Sequence, residues 1–127
     1  MRSGILIFGL LLSCAANAAA WKPLAEGRGV TYFVDPDSRV QNGGIATMLV
    51  LSNFEKPKQH HQQTYRSMVE FWRADCAGEK VALIEALAMT GDMGAGAIVF
   101  DEAVNSPWMT PKANKIAADL LRAACTN

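Results

Sequence analysis

One stretch decides the fold of this chain: TYRSMVEFWRADC, residues 64–76. Most of its apolar side chains are aromatic or β-branched, and such residues favour extended strands. Apolar and polar positions alternate imperfectly along it, so we expect each face of this strand to be partly buried and partly exposed. The strand ends at Cys76, and we expect the rest of the domain to be built around it.

The N-terminus predicts export from the cytoplasm. A basic start at Arg2 precedes an apolar run over residues 4–12, and small residues follow, with Ala16-Asn17-Ala18 as the cleavage site. This is the order of a secretory signal peptide, and the run is too short to span a bilayer, which needs about 20 residues. We therefore predict a signal peptide at residues 1–18 and a single domain at residues 19–127.

Cys14 leaves a second interpretation of the leader open. Leu11-Leu12-Ser13-Cys14 resembles a bacterial lipobox, in which the cysteine is lipidated and becomes the mature N-terminus. Such a leader would be short, and Leu12 stands where a small residue is usual, so we favour ordinary cleavage. The expected location is the periplasm, the outer-membrane surface or the medium, with membrane attachment only if Cys14 is lipidated.

Charge and cysteine count define the mature chain further. The full chain has 12 basic and 12 acidic residues, so loss of Arg2 with the leader leaves a net charge of −1. This balance gives no electrostatic reason to expect nucleic-acid binding. Cys76 and Cys125 remain after cleavage, and two cysteines in an exported chain favour one disulfide.

Four other segments are predicted as strands: residues 30–34, 45–54, 80–89 and 97–100. The second is apolar on both faces, which places it centrally in a sheet. The third also has the composition of a helix, but the short turn after Cys76 favours a hairpin. Residues 35–38 are predicted as a turn that ends the first strand, 55–63 as an exposed connection, 90–96 as a flexible hairpin connection, and 101–107 as a loop that Trp108 anchors to the core.

The C-terminal segment predicts a helix. Thr110 and Pro111 provide an N-cap and a first-turn proline, and an apolar stripe follows at helical spacing. The stripe consists of Ile116, Ala117, Leu120, Leu121 and Ala124. The predicted fold is therefore α+β, an antiparallel sheet with a C-terminal helix packed on it and tied to it by the Cys76–Cys125 disulfide.

No pattern predicts an enzyme, a cofactor or a metal ion. His60 and His61 lie in the predicted polar connection without a ligand at metal-binding spacing. Asp35 and Asp37 lack the third acidic position and the Gly–Glu pattern of a calcium loop. No serine lies in a nucleophile elbow, and oxidised cysteines offer no thiolate.

Several landmarks together resemble the surface-adhesin protein E-like family of bacterial exported proteins. They are Trp21, residues 32–38 (YFVDPDS), residues 48–51 (MLVL), Arg66-Ser67, Asp75-Cys76, Gly94, Trp108 and Ala124-Cys125. The resemblance extends over nearly the whole mature chain. It implies an antiparallel sheet with a helix tied on by the cysteine pair, and adhesion to a protein such as an extracellular-matrix glycoprotein.

The residues most typical of a partner-binding surface lie along the stretch 64–76 or just after it. Arg66, Phe71, Arg73 and Lys80 combine cations with an aromatic ring, the composition of interface anchors. An alternative is that the two arginines are solvated charges that prevent strand aggregation. At the level of function, the alternatives to a binding module are a small accessory protein of the cell envelope without a ligand and, less favoured, a hydrolase.

The leader gives the first testable prediction. Signal peptidase should cleave after Ala18, because Ala16 and Ala18 supply the small side chains that it requires. Mass spectrometry of the exported protein should then show a chain that starts at Ala19. A diacylglyceryl mass on Cys14 would establish lipidation instead.

Overall fold

The stretch that begins at Thr64 forms most of the fourth strand of an antiparallel sheet in a computed structural model, which describes residues 20–126. The predicted signal peptide and Cys14 lie outside the described residues. The elements are β1 Lys22–Gly27, β2 Val30–Asn42, β3 Ile45–His60, β4 Gln63–Asp75, β5 Lys80–Met89, β6 Ile98–Ala103 and α1 Lys115–Cys125. Short 3-10 turns lie at Asp92–Gly94 and Pro111–Ala113.

The sheet is a meander. Its six strands are ordered β1 to β6 as in the chain, and every neighbouring pair is antiparallel. This confirms the predicted α+β fold, with 45–54 and 64–76 as the central strands. Within residues 20–126, no helix has the length and apolar character needed to cross a bilayer.

The predicted stop at residues 35–38 is wrong, because β2 continues to Asn42. The polar side chains do bond locally: Ser38 Oγ donates to Asp35 O at 2.6 Å, and Asp37 N donates to Asp35 Oδ1 at 3.1 Å. The register with β3 shifts between Asp35 and Val40. Ser38 Oγ then accepts a hydrogen bond from Leu49 N at 2.9 Å, so its hydroxyl helps to maintain the pairing across this irregularity.

Three other strand boundaries differ from the prediction. Residues 55–60 are exposed for the most part, as expected, but they extend β3. The hairpin turn comes at His61 and Gln62, whose φ angles of 50° and 69° match the tight turns that antiparallel strands favour. β1 was not predicted, and β6 runs to Ala103, into the segment predicted as a loop.

The helix begins later than predicted. Thr110 makes no capping hydrogen bond, and Pro111–Ala113 forms a 3-10 turn. Asn114 is the N-cap: its Oδ1 accepts from Ile116 N at 2.9 Å and from Ala117 N at 3.4 Å. The predicted apolar stripe is confirmed, with Ala117, Leu120 and Ala124 buried against the sheet.

The core lies between α1 and one face of the sheet, which we call the inner face. On the sheet it comprises Val34, Ala46, Met48, Val50, Ala74 and Val81. The predicted disulfide between Cys76 and Cys125 is present and joins the end of α1 to the residue after β4. Arg39 Nε donates to the carbonyl of Ala124, so β2 also contacts the last turn of the helix.

The disulfide should supply a large share of the stability. Replacement of both cysteines, Cys76→Ser with Cys125→Ser, should lower the free energy of unfolding by about 4 kcal/mol, because the crosslink closes a loop of 49 residues in the unfolded chain. Urea titration measures this loss. Reduction of the wild-type protein should reproduce it and leave the double variant unchanged, whereas two alkylatable thiols in the native protein would contradict the pairing.

Candidate binding surfaces

The second face of the sheet, which we call the outer face, is not covered by any α-helix of residues 20–126. It carries an apolar patch across β2 to β5 that consists of Phe33, Leu49, Leu51, Val69, Phe71 and Leu87. Leu51 is fully buried, whereas the other five are half-buried. A half-exposed apolar patch of this kind is a candidate for contact with another molecule.

One end of the outer face is covered by the turn at residues 91–94. Ser67 is fully buried there: its Oγ donates to Gly91 O at 2.6 Å and accepts from Gly94 N at 2.9 Å. Gly94 has a φ of 76°, and a Cβ on it would lie 3.2 Å from Val69 Cγ2. The glycine-rich connection therefore packs closely on this end of the outer face. Glycine is needed at position 94 both for its positive φ and for its close approach to Val69.

Three of the four predicted contact residues lie together on the outer face. Phe71 and Arg73 alternate along β4 and pair with Leu49 and Thr47 of β3. Lys80 pairs with Asp75, two residues further along the same face, and is exposed. These three therefore form one surface with the apolar patch.

Arg66 lies apart from the other three. It is seven positions before Arg73, near the opposite end of β4, and its Nε is 3.1 Å from Asp92 Oδ1 in a partly exposed ion pair. No local pattern predicts this pairing, since Asp92 follows β5 and is 26 residues away in the chain.

Trp108 joins this surface, contrary to the prediction that it anchors a loop to the core. Its neighbour Met109 pairs with Val81 through two backbone hydrogen bonds of 2.7 and 3.0 Å, which places Trp108 on the outer face. The guanidinium carbon of Arg73 lies 4.4 Å from the indole ring centroid, a cation–π contact. Trp108 remains 36% exposed, so the indole is available to a partner.

The side of the patch next to β5 and β6 is acidic. Glu85 pairs with Phe71, and Asp101 pairs with Leu87, so both carboxyl groups lie on the outer face. The pKa of Glu85 is raised, chiefly by a hydrogen bond with the Asp101 carboxyl and to a smaller degree by repulsion between the two charges. The outer face thus has an apolar centre between a cationic end and an acidic margin.

The inner face also carries a polar group beside the helix-covered core. Glu70 of β4 is half-buried; its Oε1 accepts from Trp72 Nε1 at 3.0 Å and its Oε2 from Ser52 Oγ at 3.4 Å. Burial raises the pKa of Glu70, and the two hydrogen bonds oppose that rise. The pKa of Tyr32 is raised by burial and by the Glu70 charge.

Aromatic side chains cluster beyond Glu70, near the β3–β4 hairpin. Tyr65 packs edge-on against Phe54 and Phe100, with ring centroids 5.9 and 5.6 Å away. His60 was predicted to lie in a solvated loop, but it is half-buried, 4.5 Å from the Phe100 ring centroid, whereas His61 is exposed. Across residues 20–126, no group of three or more His, Cys, Asp or Glu side chains is arranged to hold a metal ion.

A comparison with models of protein families identifies one family. The profile of the family described as surface-adhesin protein E matches residues 21–126. A comparison with curated protein sequences finds no match.

Solved structures of protein E from Haemophilus influenzae share the fold. One, from a non-typeable strain, has a TM-score of 0.62 at 14% identity, covering 85% of this chain and 79% of that chain. A second crystal form has a TM-score of 0.63 at 12% identity, covering 85% and 95%. A third structure has a TM-score of 0.52 at 14% identity, covering 84% and 92%.

The half-buried carboxyl of Glu70 makes stability depend on pH. Because its pKa in the folded protein is raised above the ordinary 4.5, ionisation is harder in the folded than in the unfolded chain. Stability is therefore highest below the ordinary pKa and is lost as the pH rises through the raised value. Urea titrations between about pH 4 and pH 8 should show a smaller loss for Glu70→Gln than for wild type.

Glu55→Gln, on an exposed part of β3, is the matched control for that series. It should retain the pH dependence of the wild-type protein. An unchanged pH dependence in Glu70→Gln would contradict the raised pKa.

Proposed function

Because this chain belongs to the surface-adhesin protein E family, we propose that it is an exported bacterial envelope protein that binds a protein or glycoprotein through its outer face. Members of this family are described as surface adhesins, and this supports the proposal that the chain is a binding protein rather than an enzyme. The proposed partner class is an extracellular-matrix glycoprotein. The proposed route to the cell surface or the medium is removal of residues 1–18.

The observation that carries this proposal is the composition of the outer face. Phe71, Arg73, Lys80 and Trp108 place two rings and two cations beside a half-exposed apolar patch. Aromatic residues and arginine are enriched among the residues that dominate binding energy, especially where a surrounding rim excludes water. The apolar patch would supply contact area that a partner can bury, and the charges of Arg73 and Lys80 would orient that partner.

Arg73 is the central residue of the proposed contact. Its Nε is buried and has no hydrogen-bond partner within residues 20–126, while its guanidinium lies on the Trp108 ring. This arrangement restricts the side chain before a partner arrives, and restricting it lowers the entropy that binding would otherwise cost. A partner carboxylate or sulfate at this end would complete the hydrogen bonding of the guanidinium.

Removal of the Arg73 charge should weaken binding. On surfaces coated with solubilised extracellular-matrix glycoproteins, Arg73→Gln should bind about fivefold more weakly than wild type, because it loses both the charge and the stacking on Trp108. Lys80→Gln should weaken binding to a lesser degree, since Lys80 is exposed.

Arg66→Gln is the matched control, because it removes the same charge from the same strand but at the Asp92 pair. It should bind like wild type. Equal binding by wild type, Arg73→Gln and Lys80→Gln would refute the outer-face site. No binding by the wild-type protein to any matrix preparation would favour the accessory envelope role.

A further inference from the structure

A second candidate site lies on the inner face around Glu70. Its most informative feature is that the Glu70 carboxylate has no ion-pair partner among residues 20–126. Among residues 20–126, the ion pairs are Arg66 with Asp92, and Lys115 and Arg122 with Asp119. No lysine, arginine or histidine nitrogen of these residues pairs with Glu70. A half-buried carboxylate with two neutral donors and no cation is costly to maintain in its ionised form.

The strand register shows what surrounds this carboxylate. One row across the inner face reads Val34, Val50, Glu70, Ala86 and Glu102, and the next reads Tyr32, Ser52, Met68, Ala88 and Phe100. Ala86 and Ala88 are buried but lie outside the apolar cluster that packs against α1. The helix-centred core therefore stops short of this part of β5.

Aromatic rings and a second acid complete the surroundings. The Trp72 indole is hydrogen-bonded to Glu70, and Tyr32 is near enough for the Glu70 charge to raise its pKa. Glu102 lies on the same face, two strands from Glu70 with only Ala86 between them, and is exposed. Carboxylates beside aromatic rings are the usual recognition elements for ammonium and guanidinium groups.

We propose that Glu70, together with Tyr32, Trp72 and Glu102, binds a lysine or arginine side chain of a partner protein. The two existing hydrogen bonds occupy one acceptor position on each carboxylate oxygen and leave further acceptor positions on both. A cationic side chain would use those positions and neutralise the charge, while its apolar stem would lie along the rings. This site is separate from the outer face and does not depend on the function proposed for that face.

The charge is what favours a cationic side chain over a neutral ligand. A sugar or an amide would gain hydrogen bonds to Glu70 but would leave its charge uncompensated in a partly buried position. A guanidinium would form hydrogen bonds to Glu70 and would also compensate its charge. A hydrogen bond between charged groups contributes more than one between neutral groups. The exposed Glu102 adds a second negative charge that attracts the same ligand.

The test uses a capped pentapeptide, acetyl-Gly-Gly-Arg-Gly-Gly-amide, and the same peptide with citrulline in place of arginine. Nuclear magnetic resonance follows the indole N–H of Trp72, because this group is bonded directly to Glu70. The arginine peptide should shift this resonance in a saturable way, and the citrulline peptide should not. Glu70→Gln should bind the arginine peptide at least about tenfold more weakly.

Glu85→Gln is the control variant, because Glu85 lies on the opposite face of the sheet. It should bind the peptide like wild type, as should Arg73→Gln, so failure of this site and failure of the outer-face site are distinguishable. Circular dichroism checks that Glu70→Gln is folded. If it is not, Tyr32→Leu and the arginine–citrulline difference provide the test, with weaker binding expected for Tyr32→Leu.

Three results would overturn the proposal. One is equal affinity of wild type and Glu70→Gln for the arginine peptide. Another is the absence of a Trp72 shift in the wild-type protein up to about 10 mM peptide. The third is an equal response to calcium ions alone and to both peptides, which would indicate an inorganic cation site.

Discussion

The attachment of α1 to the end of β4 is the constraint on which the rest of the structure depends. A helix of 11 residues is too short to be stable by itself in water. The disulfide holds its last residue beside Cys76, and burial of Ala117, Leu120 and Ala124 fixes the face that it presents. Because the helix sits at this end of the sheet, it covers the inner face near Cys76, and the apolar cluster that it completes does not include Ala86 and Ala88 beside Glu70.

Within residues 20–126, one sheet packs against one α-helix, and this helix covers part of the inner face only. The turn at residues 91–94 and Trp21 cover part of the outer face, but the patch around Phe71 stays half-exposed. Apolar area that stays exposed contributes nothing to the free energy of folding, and the disulfide offsets part of that missing stabilisation. The Cys76–Cys125 disulfide makes such a face tolerable, because it stabilises the fold independently of core size.

Polar side chains bond the backbone of irregular segments at several points. Ser38 bridges the shift between β2 and β3, Ser67 bonds both ends of the glycine-rich turn, and Asn114 caps the helix. Each lies where backbone groups would otherwise lack partners. The Ser38 bonds explain how residues 35–38, predicted as a turn, become part of β2.

The sequence by itself determined the α+β class, the central strands, the apolar stripe of α1 and the cysteine pair, because local periodicity and a count of two cysteines carry that information. It also indicated Phe71 and Arg73 on one strand and Lys80 just after it, together with Arg66, as contact residues. Only the tertiary structure separates Arg66 from them by pairing it with Asp92, and only it places Trp108 against Arg73. Within residues 20–126 it also provides no cation that pairs with Glu70. These outcomes depend on strand pairing between residues far apart in the chain, and side-chain alternation within one strand does not encode which distant residue will lie opposite.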